Sequence, residues 1–144
     1  TTGFISPDKN NSNINPTKTF LHLAGRSLQK GTESIINSFT TNNLDLTMLQ
    51  SYHTYNNVPT NVNHIRDFLS AEDINNHLNT HSIHLCPSIY EGWGHYLYEG
   101  MSTGGLIYAT KIPMFIEWID PDLVVFLDCV FHKTNKELPF LKSN

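Results

Sequence analysis

Ser82-Ile83-His84-Leu85-Cys86-Pro87-Ser88-Ile89-Tyr90-Glu91-Gly92-Trp93-Gly94-His95-Tyr96-Leu97-Tyr98-Glu99-Gly100-Met101 reads as strand, glycine turn and helix, in that order. The apolar run Ser82 to Cys86 predicts a buried strand, Gly92 and Gly94 permit a tight turn, and His95 to Thr103 has helical spacing. A helix that opens straight after a strand and a glycine turn directs the unpaired N–H groups of its first turn outward. Its aligned peptide dipoles add partial positive charge at the same end, so the junction favours a phosphate. Glu99 falls about one turn inside that helix, within reach of hydroxyls beside the phosphate, and a carboxylate accepting from a vicinal diol can hold a ribose. Glu91 precedes Glu99 by eight residues and completes a carboxylate pair. Gly-x-Gly turns also follow strands where no ligand binds, and two surface glutamates need no reason beyond solubility; the local pattern leaves both readings open.

Outward from this stretch the chain alternates strands and helices. Phe20 to Ala24 predicts a strand, Gly31-Thr32 opens a helix to Phe39, Leu44 to Gln50 predicts a weaker strand and His64 to Phe68 another. Ser70 with Asp73 resembles a capping box that starts a helix to Asn79. After the Ser82 to Cys86 strand and its helix, with Gly104 as C-cap, come a strand over Leu106 to Thr110, a short helix over Pro113 to Ile119 and a last strand over Leu123 to Leu127. Strands separated by helices imply a parallel sheet covered on both faces. The fold class is therefore α/β, a doubly wound, mostly parallel, Rossmann-like sheet over residues 19–130, with a flexible lead-in over 1–18 and a tail over 131–144, of which His132 to Asn144 is expected to wrap back onto a neighbouring surface.

In such sheets ligands bind beyond the carboxyl ends of the strands. The Phe20 to Ala24 strand runs directly into Gly25-Arg26-Ser27-Leu28-Gln29-Lys30-Gly31, a glycine-bounded loop with two cations. Arg26 can grip phosphate oxygens in a bidentate fork and Lys30 can add a point charge. The loop after Cys86 carries Glu91, and the loop after Thr110 carries Lys111. Three loops of one edge thus offer cations, backbone donors and carboxylates.

Composition narrows the function classes. The 144 residues, 39% hydrophobic and 11% aromatic, suffice for one domain with a substantial core. A formal net charge of -4, with few and scattered basic residues, argues against nucleic acid or an anionic membrane as partner. No apolar run approaches the roughly 18–20 residues of a transmembrane helix, and no signal-peptide core is present, which makes a cytoplasmic location the expectation. Two cysteines, Cys86 and Cys129, lie too far apart for a Cys-x-x-Cys site. His77, His81 and His84 are spaced like metal ligands, but a helix end, a loop and a strand are expected to point them apart, so no metal site is assigned. Trp93 and Tyr96 either stack on a sugar or base or pack beside the turn. Trp118, Phe126, Phe131 and Phe140 read as core or tail-docking residues.

The order and spacing of Gly25-Arg26, Lys30-Gly31, Pro87-Ser88, Glu91-Gly92-Trp93-Gly94, Glu99, Gly104 and Glu117 resemble the carboxyl-terminal half of a group 1, GT-B fold, retaining glycosyltransferase. The resemblance covers about Thr19 to Ile119. It implies a domain that binds a nucleotide-diphosphate sugar as co-substrate, without metal or other cofactor. The catalytic groups it implies are Arg26 and Lys30, neutralising the diphosphate, and Glu91, near the donor sugar. Glu99 matches the second carboxylate of the E-x7-E motif and holds the ribose, while Gly94, His95, Tyr96 and Leu97 present groups to the sugar and phosphate at the helix start. The acceptor-binding amino-terminal domain of that family has no counterpart in these residues. The resemblance therefore implies a partner domain in cis or trans and little transfer by this chain alone. Ser51 to Asn57 lacks the glycine that the family often carries in a nucleotide loop. A second reading therefore stands beside the first: a degenerate, non-catalytic module with weak nucleotide or protein binding.

Overall fold

The computed structural model describes residues 19–129; the lead-in 1–18 and the tail 131–144, with Phe131 and Phe140, lie outside the described residues. Six strands, β1 (Phe20–Leu23), β2 (Leu46–Leu49), β3 (Val62–Ile65), β4 (Ile83–Cys86), β5 (Leu106–Thr110) and β6 (Val124–Leu127), form one sheet in the order β3-β2-β1-β4-β5-β6. Every neighbouring pair is parallel. Helices α1 (Thr32–Thr40), α2 (Ala71–Thr80), α3 (His95–Ser102) and α4 (Pro113–Trp118) connect them. The α/β, Rossmann-like, doubly wound class read from the sequence is the fold of the protein.

Side chains of successive strand residues point to opposite faces, and the core divides accordingly. Phe20, Leu46, Met48 and Val62 pack with Ile35, Ile36 and Phe39 of α1 on one face, and the Phe20 and Phe39 rings meet edge to face at 5.6 Å. Leu21 and Leu49 pack with Leu78 of α2 on the other. Leu23 joins this cluster to a third, in which Tyr96 and Leu97 of α3 and Phe115 of α4 cover Cys86, Ile107, Ala109 and Val124. Helix α1 therefore lies on one face and α2, α3 and α4 on the opposite one.

Local chemistry sets the element ends. The capping box is formed: Asp73 N–H donates to Ser70 Oγ at 3.1 Å and Ser70 N–H to Asp73 Oδ2 at 3.3 Å. Pro113 occupies the first turn of α4, where its missing N–H costs nothing. Two strands differ from the sequence reading. β2 begins at Leu46 because Leu44 is exposed, and it ends at Leu49 because Gln50 turns to φ 51°. β3 spans Val62–Ile65 rather than His64 to Phe68, since Val62 aligns with Leu46 and buries on the α1 face while Phe68 stands beyond the sheet, 81% exposed. Asn61 fixes that start by donating from its amide to the carbonyls of Phe39, Asn42 and Leu44 at 3.0, 3.3 and 2.7 Å. A loop over residues 50–61, not a helix, joins β2 to β3.

Candidate functional site

The strand order reverses between β1 and β4. From β1 the chain moves toward β2 on one side, and from β4 toward β5 on the other, so the loops leaving these two strands part and open a crevice at the carboxyl edge. Those two loops are the ones the sequence singles out. They are also pinned together. Ile89 N–H donates to Gln29 O at 2.7 Å, and Gly31, at φ 69°, lies so close to the second loop that an added Cβ would stand 2.1 Å from Pro87 O. Only a residue without a side chain fits there. The first loop makes a short 3-10 turn over Leu28–Lys30, capped by Ser27 Oγ accepting from Gln29 N–H at 3.2 Å.

Lys30 reaches from this turn to the start of α3, where its Nζ lies 4.5 Å from the centroid of the Tyr96 ring. Partial burial lowers the ammonium's pKa, opposed chiefly by the charge of Glu91 and also by that of Glu99. Burial likewise raises the Glu99 carboxyl, against the pull of His95 and Lys30. Lys30 and Tyr96 thus meet at the crevice, with the Glu91 and Glu99 carboxylates close enough to act on the ammonium. Glu91 Oε1 accepts from Ser88 Oγ at 2.7 Å. The fully buried Ser88 also shares a short hydrogen bond with the Tyr96 hydroxyl, and its carbonyl accepts from Thr110 Oγ1.

Gly94 starts α3 at φ 74°, with Phe115 so near that a Cβ would fall 2.6 Å from its ring. Leu97 N–H is satisfied by Gly94 O at 3.0 Å, while His95 and Tyr96, at the first positions of α3, have no acceptor a turn before them within the helix. No acidic side chain stands in that turn to offset its partial positive charge. His95 is exposed, Tyr96 and Leu97 are buried, and Leu97 serves the core. An anion at this helix start would share the crevice with the Lys30 ammonium, which lies over the Tyr96 ring. A void of about 10 Å³ under Tyr96, lined by Leu21, Leu23, Leu78, His84, Leu85 and Cys86, has room for about one water.

Other sequence candidates fall elsewhere. Arg26 is exposed, with its guanidinium carbon 4.7 Å from the centroid of the Tyr52 ring, and its carbonyl is bonded by His53 Nε2 at 2.6 Å. It shares the loop of Lys30 but stands toward the β2–β3 connection. Lys111 turns to Asp128 at 3.7 Å, so the third loop lends the site the Thr110 hydroxyl rather than a cation. Trp93 stacks on Tyr98 at 5.6 Å and half of its surface stays open. The histidines do not point apart as expected: the His77 and His81 rings lie 5.6 Å from each other. Ring nitrogens of His81 and His84 are engaged by backbone carbonyls at 2.8 and 3.1 Å, and no group of three or more His, Cys, Asp or Glu among the described residues could hold a metal ion. Cys86 is buried and its thiol is pushed far up by desolvation, which removes it as a nucleophile.

Sequence reasoning missed His22. This fully buried ring bonds Leu85 O through Nδ1 at 2.9 Å and Thr32 Oγ1 through Nε2 at 2.8 Å, tying β1 to β4 and to the first residue of α1. A histidine inside an apolar run was its only signal.

No helix among the described residues is long and apolar enough to cross a membrane. The fold and this edge define a Rossmann-like domain with a candidate anion site at its switch point. No family model matches the chain, and no curated protein matches it.

Proposed function

We propose that the protein is the donor-binding domain of a GT-B glycosyltransferase, holding a nucleotide-diphosphate sugar for retaining transfer to an acceptor supplied by another domain, in cis or trans. The observation that carries this reading is that Lys30, where the β1 and β4 loops meet, lies 4.5 Å from the Tyr96 ring at the start of α3, a side chain that Ser88 links to Glu91. One cation, a helix start free of acidic residues and two carboxylates match the chemical needs of a diphosphate flanked by hydroxyl-rich sugars. In this reading Lys30 and the α3 N-terminus take the diphosphate, Glu99 the ribose and Glu91 the donor sugar. Arg26 completes the clamp by leaving Tyr52. Exposed Leu28, Ile89, Tyr90 and Trp93 around the crevice suit coverage by the acceptor domain.

The second reading, a non-catalytic module, draws on one observation: Arg26 rests on Tyr52, apart from Lys30. A calorimetric and thermal-shift screen of nucleoside diphosphates and their sugar conjugates separates the two. Ligand at about 100 times its dissociation constant stabilises the native state by about 2.7 kcal/mol. Stabilisation by one diphosphate, lost in Arg26→Ala and in Glu99→Ala, supports the donor site. No response to any of them at millimolar concentration refutes it in favour of the module.

A further inference from the structure

We propose that Tyr96 is the positioning residue of this site: its ring face holds the Lys30 ammonium over the crevice, while its hydroxyl, through Ser88, anchors the loop that carries Glu91. The inference deepens the donor-site reading, and only the anion-binding arm of its test rests on that reading.

Tyr96 is 5% exposed, so its ring is fixed by the core beneath. The Lys30 Nζ stands 4.5 Å from the ring centroid, inside the range at which a cation is attracted to an aromatic face. Ion pairs of 4.0 Å or less among the described residues join Lys111 to Asp128, and none engages Lys30. The difference matters for an anion site. A carboxylate in contact with the ammonium would have to be displaced by an incoming phosphate. The aromatic face attracts the cation through its quadrupole and leaves the net positive charge intact. It also orders the long lysine stem in advance, and that lost rotamer freedom no longer counts against binding.

The polar end of the same side chain works on the opposite charge. Ser88 has one hydroxyl proton, which it donates to Glu91 Oε1 at 2.7 Å, so its oxygen accepts from the Tyr96 O–H. Desolvation keeps the phenol protonated and hence a donor. The Thr110 hydroxyl holds the Ser88 carbonyl from β5. One residue on α3 thus sets the relative positions of a cation from the β1 loop and a carboxylate from the β4 loop.

The full chain, labelled with carbon-13 lysine, tests this by NMR without any ligand. Ring shielding moves the Lys30 side-chain signals, assigned by their loss in Lys30→Met, upfield of the other lysines. Tyr96→Phe keeps that displacement, and Tyr96→Leu abolishes it. Calorimetry with inorganic pyrophosphate is the second arm: Tyr96→Leu binds about tenfold more weakly than wild type, with circular dichroism confirming its fold. If Tyr96→Leu does not fold, the wild-type and Tyr96→Phe spectra decide. Unshifted Lys30 signals in wild type overturn the proposal, as does a folded Tyr96→Leu that binds pyrophosphate as wild type does. Shielded Lys30 signals in a chain that binds no pyrophosphate would uphold the ring's hold on Lys30 and overturn the donor reading.

Discussion

Gly31 and Gly92 border the same crevice and bear very different loads. At Gly31 a Cβ would stand 2.1 Å from the Pro87 carbonyl oxygen, and the backbone is left-handed at φ 69°. Gly31→Ala therefore forces the two site loops apart or breaks their hydrogen bond, and is expected to cost about 3 kcal/mol or more. A Cβ at Gly92 meets nothing within 4 Å, so Gly92→Ala is expected to change stability by less than about 0.5 kcal/mol. Urea unfolding of the two variants checks the contrast; equal midpoints would contradict the close approach of the loops. Ser88 poses the corresponding question for a side chain. Ser88→Ala leaves the buried Tyr96 hydroxyl without its acceptor and releases Glu91, for an expected loss of about 1–3 kcal/mol. Truncating the phenol as well, in Ser88→Ala with Tyr96→Phe, removes the stranded donor and should restore part of that loss. A double-mutant cycle by urea unfolding measures the coupling, and strictly additive losses would show that the two hydroxyls do not depend on each other.

At the scale of elements, β1, β4 and α1 meet at a histidine that stays neutral. Burial lowers the His22 pKa from 6.5 to about 4, against the stabilising pull of its bond to Leu85 O and with a further lowering by Lys30. Because the folded value is depressed, the unfolded chain binds the proton first as the pH falls. The contribution of His22 is therefore complete above about pH 6.5 and disappears between there and about pH 4. Down to pH 5, this one group should remove about 2 kcal/mol from the stability. His84 shifts in the same direction, chiefly through burial, and adds to the slope. Urea midpoints at pH 7 and pH 5 for wild type and His22→Gln test the assignment: the gap between the two proteins narrows toward pH 5, and a constant gap would mean that His22 does not titrate as the burial requires. The same meeting point explains what the sequence could and could not reveal. Apolar runs such as Ile83–Cys86 and Leu106–Thr110 announced β4 and β5, and the Ser70–Asp73 box announced α2, because those signals are local. The edge strand β3 was displaced because its start depends on Asn61 binding three distant carbonyls. Lys30 and Glu91 could be placed by their loops and Glu99 by its position about one turn into α3. The tie from Thr110 through Ser88 to Tyr96 could not, since it joins separate loops through hydroxyls that leave no periodic trace. Nor could the capture of Arg26 by Tyr52 and of Lys111 by Asp128, which only folding brings together.

At the scale of the whole molecule, the donor-site reading raises the question of what the described edge accomplishes by itself. Sugar transfer draws much of its rate from holding an acceptor hydroxyl in line with the anomeric carbon and from excluding water. In the described residues the crevice opens directly to solvent: Ile89, Tyr90 and Trp93 beside it are 49%, 67% and 53% exposed. Under the donor-site reading, Lys30 and the start of α3 grip the leaving diphosphate, and a second domain orients the acceptor. Binding and turnover should therefore separate. Under the donor-site reading, the chain binds its nucleotide sugar and is stabilised by it, yet releases diphosphate at least about a thousand-fold more slowly than the 1–1,000 per second typical of enzymes. Calorimetry for binding and a coupled assay for free nucleoside diphosphate measure the two quantities on one sample. Turnover in the ordinary enzymatic range, abolished by Glu91→Gln, would mean that this edge completes its own active site and that no acceptor domain is required. Tight binding with negligible release makes the second domain the limiting element, and adding a chain that supplies it should raise turnover while leaving the donor affinity unchanged.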